Sequence, residues 1–288
     1  MRFQGNYTVS SSARIGSNVR IGHHAIIHDH VEIGDNTVIA ENCIIGEPGA
    51  RSYHDPDYQN PPTYIGPGSL IRSGSIIYSD SSFGSGFTTG NMVSIRERSI
   101  FGKNCVVGTQ SDIQGEVTFG DYCRLNSHVQ IASKSIVGNF VFIYPFVVFT
   151  NDPHPPSDHL LSIRIGDYTQ IAAGTVILPG VTVGRHNLIG ANSLVNRNIG
   201  DFELHAGSPA RKVCDLKYVL SRKSNGPHYP WPYHYDKGLP WEGRNFDEWL
   251  ESPEGRYYAG CPTGDPEEAA EYASAGELLT DNPHTTKS

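Results

Sequence analysis

From Ile65 to Phe149 every sixth residue of the chain is apolar, with Thr89 as the exception: Ile65, Ile71, Ile77, Phe83, Ile95, Phe101, Val107, Ile113, Phe119, Leu125, Ile131, Val137, Ile143 and Phe149. Four residues after the ladder position sits, almost always, a small or β-branched residue, Ser69, Ser75 and Ser81 through Cys105, Cys123 and Val147, with Phe87 the large exception. Helices repeat every 3.6 residues and ordinary strands every 2, so neither accounts for a period of six. A period of six is the mark of a parallel β-helix, in which each hexad supplies one short flat face and a turn. Gly often follows the ladder residue, as at Gly66, Gly84 and Gly102, and reads as a turn former.

Two shorter runs flank this one. Val9, Ile15, Ile21, Ile27, Ile33, Ile39 and Ile45 come first; Ile165, Ile171, Ile177, Val183, Ile189 and Val195 come last. Neither keeps register with the central run. The excess residues fall in a Pro-, Gly- and Tyr-rich stretch, Glu47 to Tyr64, and in Thr150 to Arg164, so both read as loop excursions. With three hexads per coil the runs predict about nine coils, a prism on the order of 45 Å long at the strand spacing of a sheet. Ladder residues then stack eighteen apart, Ile113 under Ile131 under Phe149. One coil cannot bury its apolar face alone, so stability accrues by stacking and the ends need caps.

Composition narrows the function classes. A net charge of −8 argues against a nucleic-acid or anionic-membrane partner. No apolar run is long enough to cross a bilayer, and no signal-peptide core opens the chain, so a cytoplasmic protein is expected. The five cysteines (Cys43, Cys105, Cys123, Cys214, Cys261) form no CxxC pair, which disfavours a disulfide framework or zinc knuckle. Cys105 and Cys123 lie one coil apart at the small inward position and read as core.

After Val195 the pattern gives way, and beyond residue 213 hexads are absent. The chain divides on this basis into a β-helix at 1–213 and an irregular, aromatic-rich extension at 214–288, which holds Trp231, Trp241 and Trp249. Such a segment suits wrapping around the solenoid end or a neighbouring subunit. Asp265 to Leu279 is acidic and Ala-rich, and predicts a short helix. Thr280 to Ser288 reads as mobile.

The hexads resemble those of the bacterial hexapeptide-repeat transferase family. Ile165-Gly-Asp-Tyr-Thr-Gln-Ile-Ala-Ala-Gly-Thr-Val-Ile-Leu-Pro-Gly-Val-Thr-Val-Gly184 looks like that family's most recognisable coils, and Ala206-Gly-Ser-Pro-Ala-Arg-Lys212 like its closing signature. The resemblance covers about residues 9–213. It implies an all-β, left-handed parallel β-helix, a homotrimer with active sites between neighbouring prisms, and acetyl-CoA as acyl donor. Phe149-Thr-Asn-Asp-Pro-His-Pro-Pro-Ser157 looks like members that N-acetylate amino sugars carried on nucleotides, for surface-polysaccharide synthesis. The extension is a departure from the family pattern.

Acyl transfer from a thioester needs a proton acceptor near the nucleophile and donors for the tetrahedral oxyanion. A β-helix wall offers few polar groups, so the loop that breaks the ladder is the place to look. His154 is the candidate general base, and a Pro-flanked loop histidine also reads as merely solvated. Asp152 either orients an imidazole or holds the substrate amine, or else closes an Asx turn before Pro153. Asn151 either bonds the acetyl carbonyl or the sugar, or shapes the same turn. His128, on the preceding coil, is a fourth catalytic candidate or a surface residue. By resemblance coenzyme A would lie along the third run, where Ala172, Ala173, Gly174 and Ala191 offer a small-residue wall and Arg211 and Lys212 could meet its phosphates. Arg51, Tyr53, His54, Arg72, Arg96, Arg98 and Arg124 are the available partners for a nucleotide, and each taken singly also reads as a solvated surface residue.

Two other acceptor and site classes compete. O-acetylation of a hydroxyl would lean on His154 as base. A metal site like that of the β-helical carbonic anhydrases would need a third histidine with His154 and His159; His128 is too near in sequence, so no metal is expected. A non-catalytic scaffold is the third class.

Overall fold

The computed structural model describes residues 6–221 and 226–260. The helix expected at 265–279, the tail 280–288 and Cys261 lie outside the described residues. Each of the ladder residues falls in its own short strand, and successive strands turn onto three flat faces of a left-handed parallel β-helix. Face A holds ten strands, from Thr8–Val9 to Leu194–Val195; face B holds nine, from Arg14–Ile15 to Thr182–Val183; face C holds eleven. Face C begins at Arg20–Ile21 and ends with Glu203–Ala206 and Arg211–Asp215. The corners between them are called AB, BC and CA.

Ladder side chains point inward and close the interior. Ile39, Ile65, Ile95, Ile113, Ile143 and Ile171 are fully buried, while Ile15, on the first described coil, stays 39% exposed. The eighteen-residue column holds: Ile95 pairs with Ile113 and Ile113 with Ile131. The ladder's one polar member is satisfied, because the Thr89 hydroxyl accepts the Arg72 N–H at 2.9 Å. That coil exchanges volume between two positions, since Phe87 fills space against Phe83 at 4.5 Å and Phe101 at 5.3 Å. Cys105 and Cys123 are core residues whose thiols donate to the Gly120 and Gly138 carbonyls at 3.0 and 2.9 Å.

The glycines after the ladder residues are needed for a reason other than turn conformation. A Cβ on Gly84 would stand 2.6 Å from the Lys103 nitrogen of the next coil, so the residue is fixed by the close approach of successive backbones. The left-handed turn positions lie two residues further on, and most are not glycine: Asn18, Asn36, His128, Phe140 and Tyr168 all have φ near +60°.

The stack is taller than nine coils. Leu194–Val195 on face A, a bridge from Val183 to Ile199 on face B and Glu203–Ala206 on face C make a tenth rung, and Arg211–Asp215 adds an antiparallel eleventh. Backbone pairing needs no hexad side chains, so the ladder of hydrogen bonds continues after the sequence pattern stops. A boundary after residue 213 falls inside that last strand.

Both excursions leave the prism at corner AB. Ile45 pairs with Ile77 and Ile33 with Ile65, so the first loop inserts fourteen residues into one coil. Val137 pairs with Ile165, so the second inserts ten. Ladder residues stay paired on either side, with one local shift at the first loop's neck, where Tyr78 pairs with Glu47.

The extension folds back along its own prism. Short 3-10 turns lead to α1 (Phe246–Leu250) and α2 (Pro253–Gly260). Asn245 caps α1 by accepting the Asp247 N–H. Trp231, Leu239, Trp241, Phe246, Trp249 and Tyr258 form a second hydrophobic core with Tyr122, Phe140 and Tyr168 of corner BC and Phe142 of face C. Along this corner the aromatic rings of Tyr122, Phe140, Tyr168, His186 and Phe202 stack coil on coil, with centroids 4.6–5.2 Å apart. Beside them runs a ladder of polar side chains, each accepting a backbone N–H of the coil before: Asp121 from Lys103, Asn139 from Asp121, Asp167 from Asn139. Burial raises the Asp121 and Asp167 carboxyls above the usual range.

Candidate active site

The second excursion is built from its base upward. Thr150 still follows face A, with its Oγ–H on the Ile177 carbonyl at 3.0 Å. The chain then departs, and Asn151 closes the neck of the loop: its carbonyl accepts the Leu161 N–H at 2.8 Å. The Asn151 side-chain amide donates to Ser133 Oγ at 2.8 Å, so the loop is tied to the preceding coil at the same corner. Leu161 lies against Gly180 of the following coil.

Asp152 organises the loop tip. One carboxylate oxygen accepts the His154 N–H at 2.9 Å and the Ser157 hydroxyl at 2.7 Å; the other accepts the Ser157 N–H at 2.8 Å. The Ser157 hydroxyl, with help from the two backbone N–H groups, holds this carboxyl below its ordinary range. Asp152 thus closes a turn and hydrogen-bonds His154 through its backbone N–H, with the His154 side chain near enough to add a smaller electrostatic contribution. His154 itself is exposed, and no described residue holds its ring. His159 is also exposed, on the same loop.

His128 stands elsewhere. It occupies the left-handed turn position of corner CA and stacks on Phe146 at 5.0 Å with the rings nearly parallel. Face A separates it from the loop that bears His154, so one chain does not bring the two histidines together. Ala172, Ala173, Gly174 and Ala191 do share a corner with His128. The Asn192 N–H donates to the Ala173 carbonyl at 2.9 Å, which places Ala191 and Ala173 on successive turns of corner CA. Among the described residues no three His, Cys, Asp or Glu side chains converge as a metal site would require.

The basic candidates are mostly engaged. Lys212 is held between Glu203 and Asp215, both at 2.7 Å, and these carboxylates push its ammonium well above the usual range. Arg211 is exposed and donates to the Ala210 carbonyl. Arg96 makes a two-pronged pair with Glu97, Arg98 pairs with Glu116, and Arg51 with Asp55. Arg124 donates to the Lys237 and Gly238 carbonyls and to the Tyr235 hydroxyl, so its task is to dock the extension. The sequence reading missed Ser133 and Ser157. The eighteen-residue spacing of Ser133 and Asn151 is a signal that could have found the first.

The family model for the bacterial transferase hexapeptide (six repeats) matches residues 12–47 and 162–197. A galactoside O-acetyltransferase of Lactococcus lactis is 33% identical over 93 residues, which are 28% of this chain and 45% of that protein. A second galactoside O-acetyltransferase, from Escherichia coli K12, is 33% identical over 88 residues, 28% of this chain and 43% of that protein. The chain thus spans less than half the length of these two relatives. Among solved structures, a galactoside acetyltransferase in complex with coenzyme A is 25% identical over 44% of this chain and 67% of that one, with a TM-score of 0.39. An Arabidopsis UDP-N-acetylglucosamine acyltransferase covers 96% of both chains at 17% identity and a TM-score of 0.45. The two matched stretches, 12–47 and 162–197, thus carry the repeat of the bacterial hexapeptide transferases. No helix among the described residues is long and apolar enough to cross a membrane.

Proposed function

We propose that the protein is an acetyl-CoA-dependent acyltransferase that acetylates the amino group of a nucleotide-linked amino sugar. The observation that carries this reading is the polar loop of Asn151, Asp152 and His154, which interrupts the ladder immediately before the coils at 162–197 that match the family repeat. In this reading Asn151, fixed by Ser133, presents polar groups to the acetyl carbonyl or the sugar. Asp152 shapes the loop, and the His154 ring accepts the proton the acceptor sheds. The acyl donor lies along Ala172, Ala173, Gly174 and Ala191, with Arg211 near its phosphates. Loop and donor strip stand at opposite ends of face A, which favours a homotrimer in which corner AB of one prism faces corner CA of the next. The four described cysteines are free thiols, in keeping with a reducing cytoplasm.

A second reading, O-acetylation of a sugar hydroxyl, is favoured by the two relatives named galactoside O-acetyltransferases and by the unheld imidazole of His154. A hydroxyl needs a base more than an amine does. The test is thiol release from acetyl-CoA across a panel of nucleotide-linked 3-amino and 4-amino sugars with the matching hydroxyl sugars. Release with one amino sugar alone establishes the first reading. Release with hydroxyl sugars alone, abolished by His154→Ala, establishes the second. Silence throughout, without coenzyme A binding, removes both.

A further inference from the structure

Corner CA changes profile at one coil. Ile143 pairs with Ile171, so Tyr144, Pro145 and Phe146 stand one coil before Ala172, Ala173 and Gly174. The Gly174 N–H donates to the Pro145 carbonyl at 3.0 Å and the Asn192 N–H to the Ala173 carbonyl at 2.9 Å, which fixes the order of three successive turns. The small-residue strip therefore ends on a step of large side chains, where Tyr144 and Phe146 are 39% and 61% exposed.

Phe146 is held as a floor. One face of its ring stacks on His128 of the coil before, with centroids 5.0 Å apart and an interplanar angle of 2°. His128, Phe146 and Gly174 hold the same left-handed turn position on successive coils. The other face of the ring is thus turned along the prism toward Gly174, which carries no side chain to cover it. Beyond the gap Asn192 leans in, and a Cβ on Gly174 would collide with its Oδ1.

The direction of the acyl donor follows from its two ends. Its phosphates belong with Arg211, which pairs with Ala206 at the far end of the same corner. The thin arm then runs past Ala191 and Ala173, and the thioester arrives at Gly174. The strand Val148–Phe149 and the loop of Asn151 and His154 follow directly after Phe146. In a homotrimer of parallel prisms about a threefold axis, the neighbour's loop stands at the level of this floor. Acyl group and acceptor meet there.

We propose that Phe146, backed by His128, is the stop that limits the transferred acyl group to acetyl. This inference rests on the acyltransferase reading above and adds to it the residue that sets acyl length. Acetyl ends against the ring. A hexanoyl chain, longer by four methylenes or about one coil spacing of ~5 Å, has to displace the ring or leave the corner.

The test is calorimetric titration of the full chain with coenzyme A, acetyl-CoA and hexanoyl-CoA. The parent should bind hexanoyl-CoA at least about 10-fold more weakly than acetyl-CoA, since one methylene too many in a filled pocket already costs about that much. Phe146→Gly clears the floor at a φ of +62°, which glycine adopts freely. That variant should bind hexanoyl-CoA at least about 10-fold more tightly than the parent does, at about 4-fold per methylene buried. Its affinity for coenzyme A should not change. Phe146→Tyr keeps the ring and should rank the three ligands as the parent does. A parent that binds acetyl-CoA and hexanoyl-CoA alike, or a Phe146→Gly protein that keeps the parent's ranking, overturns the stop and leaves the acyltransferase reading standing. Equal loss for all three ligands in Phe146→Gly also overturns the stop, because the ring would then support the arm rather than the acyl end. A parent that binds no coenzyme A removes the acyltransferase reading and the stop with it.

Discussion

The prism interior and corner BC both stack rings at coil spacing, under opposite backbone conditions. Inside, Phe83, Phe101 and Phe119 sit on strands, with centroids 5.5 and 4.6 Å apart, and are at most 2% exposed. At the corner, Tyr122, Phe140, Tyr168, His186 and Phe202 stack as closely, but each holds φ between +53° and +59°. That region costs an L-residue roughly 1–2 kcal/mol, while a stacked aromatic pair returns about 0.5–1.5 kcal/mol. The interior column is stabilised by the coils that bury it. The corner column needs a cover, and where the extension supplies one, at Tyr122, Phe140 and Tyr168, the rings are buried; Phe202, beyond it, is 40% exposed. Stacking geometry alone therefore says little about stability until one asks what shuts out water.

The contrast can be broken by comparing two large truncations. Phe101→Ala should cost about 3–5 kcal/mol of global stability, read as a shift in the far-UV dichroism midpoint in denaturant. Trp249→Ala, fully buried at the extension core, should cost a similar amount locally, releasing the extension while the dichroism midpoint of the prism moves by less than about 1 kcal/mol. All three tryptophans lie in the extension, so fluorescence follows that half alone. Coincident fluorescence and dichroism transitions in the Trp249→Ala protein would merge the two regions into one cooperative unit.

A smaller effect sharpens the same boundary. The Tyr258 hydroxyl donates to Asp121 at 2.6 Å, with Lys103 and Glu254 paired beside it at 3.2 Å. Tyr258→Phe should loosen the extension by about 1–3 kcal/mol, because a buried carboxylate oxygen loses its donor. Burial raises the Asp121 carboxyl despite that hydroxyl. A raised carboxyl gives up stability as pH climbs through its folded value, so fluorescence should show a larger loss at about pH 8 than at about pH 4.

The smallest change at neutral pH concerns His186. Burial between Tyr168 and Phe202, and then the Arg185 charge, push its imidazole from 6.5 down to about 4. The folded state holds it neutral while the unfolded chain takes up a proton, so stability falls as pH drops from 6.5 toward 4, by no more than about 3 kcal/mol. His186→Phe suits a column that already holds Phe140 and Phe202, and should erase that acid limb in a pH series of thermal melts. An unaltered acid limb would assign it to other groups.

The faces of the fold were legible because one backbone period dictates them: Ile65 to Phe149 names the strands and their register together. The extension was not. Its partners Tyr122, Phe140 and Tyr168 stand at turn positions, which a ladder count treats as free, and Trp231 bonds the Tyr168 carbonyl from sixty-three residues away. The polar loop could be located from the break in register. The role of Asp152 could not, because whether a carboxylate turns toward an imidazole or back onto Ser157 depends on local turn geometry that composition does not encode. Arg124, by type an available nucleotide partner or a solvated surface residue, is a clamp on the extension.

Corner AB admits fourteen extra residues in one coil and ten in another while the ladder residues of every face stay paired. Closing a longer loop costs only slowly more as it grows. Variation in chain length is thereby channelled to one edge, where the prism works as a display rail. A foreign peptide of a dozen residues, spliced in place of Pro153–Leu160, would be carried outward between the Asn151 and Leu161 neck of the loop; in the first loop Asn60, bonded to the Gly46 carbonyl at 2.7 Å, would have to be kept.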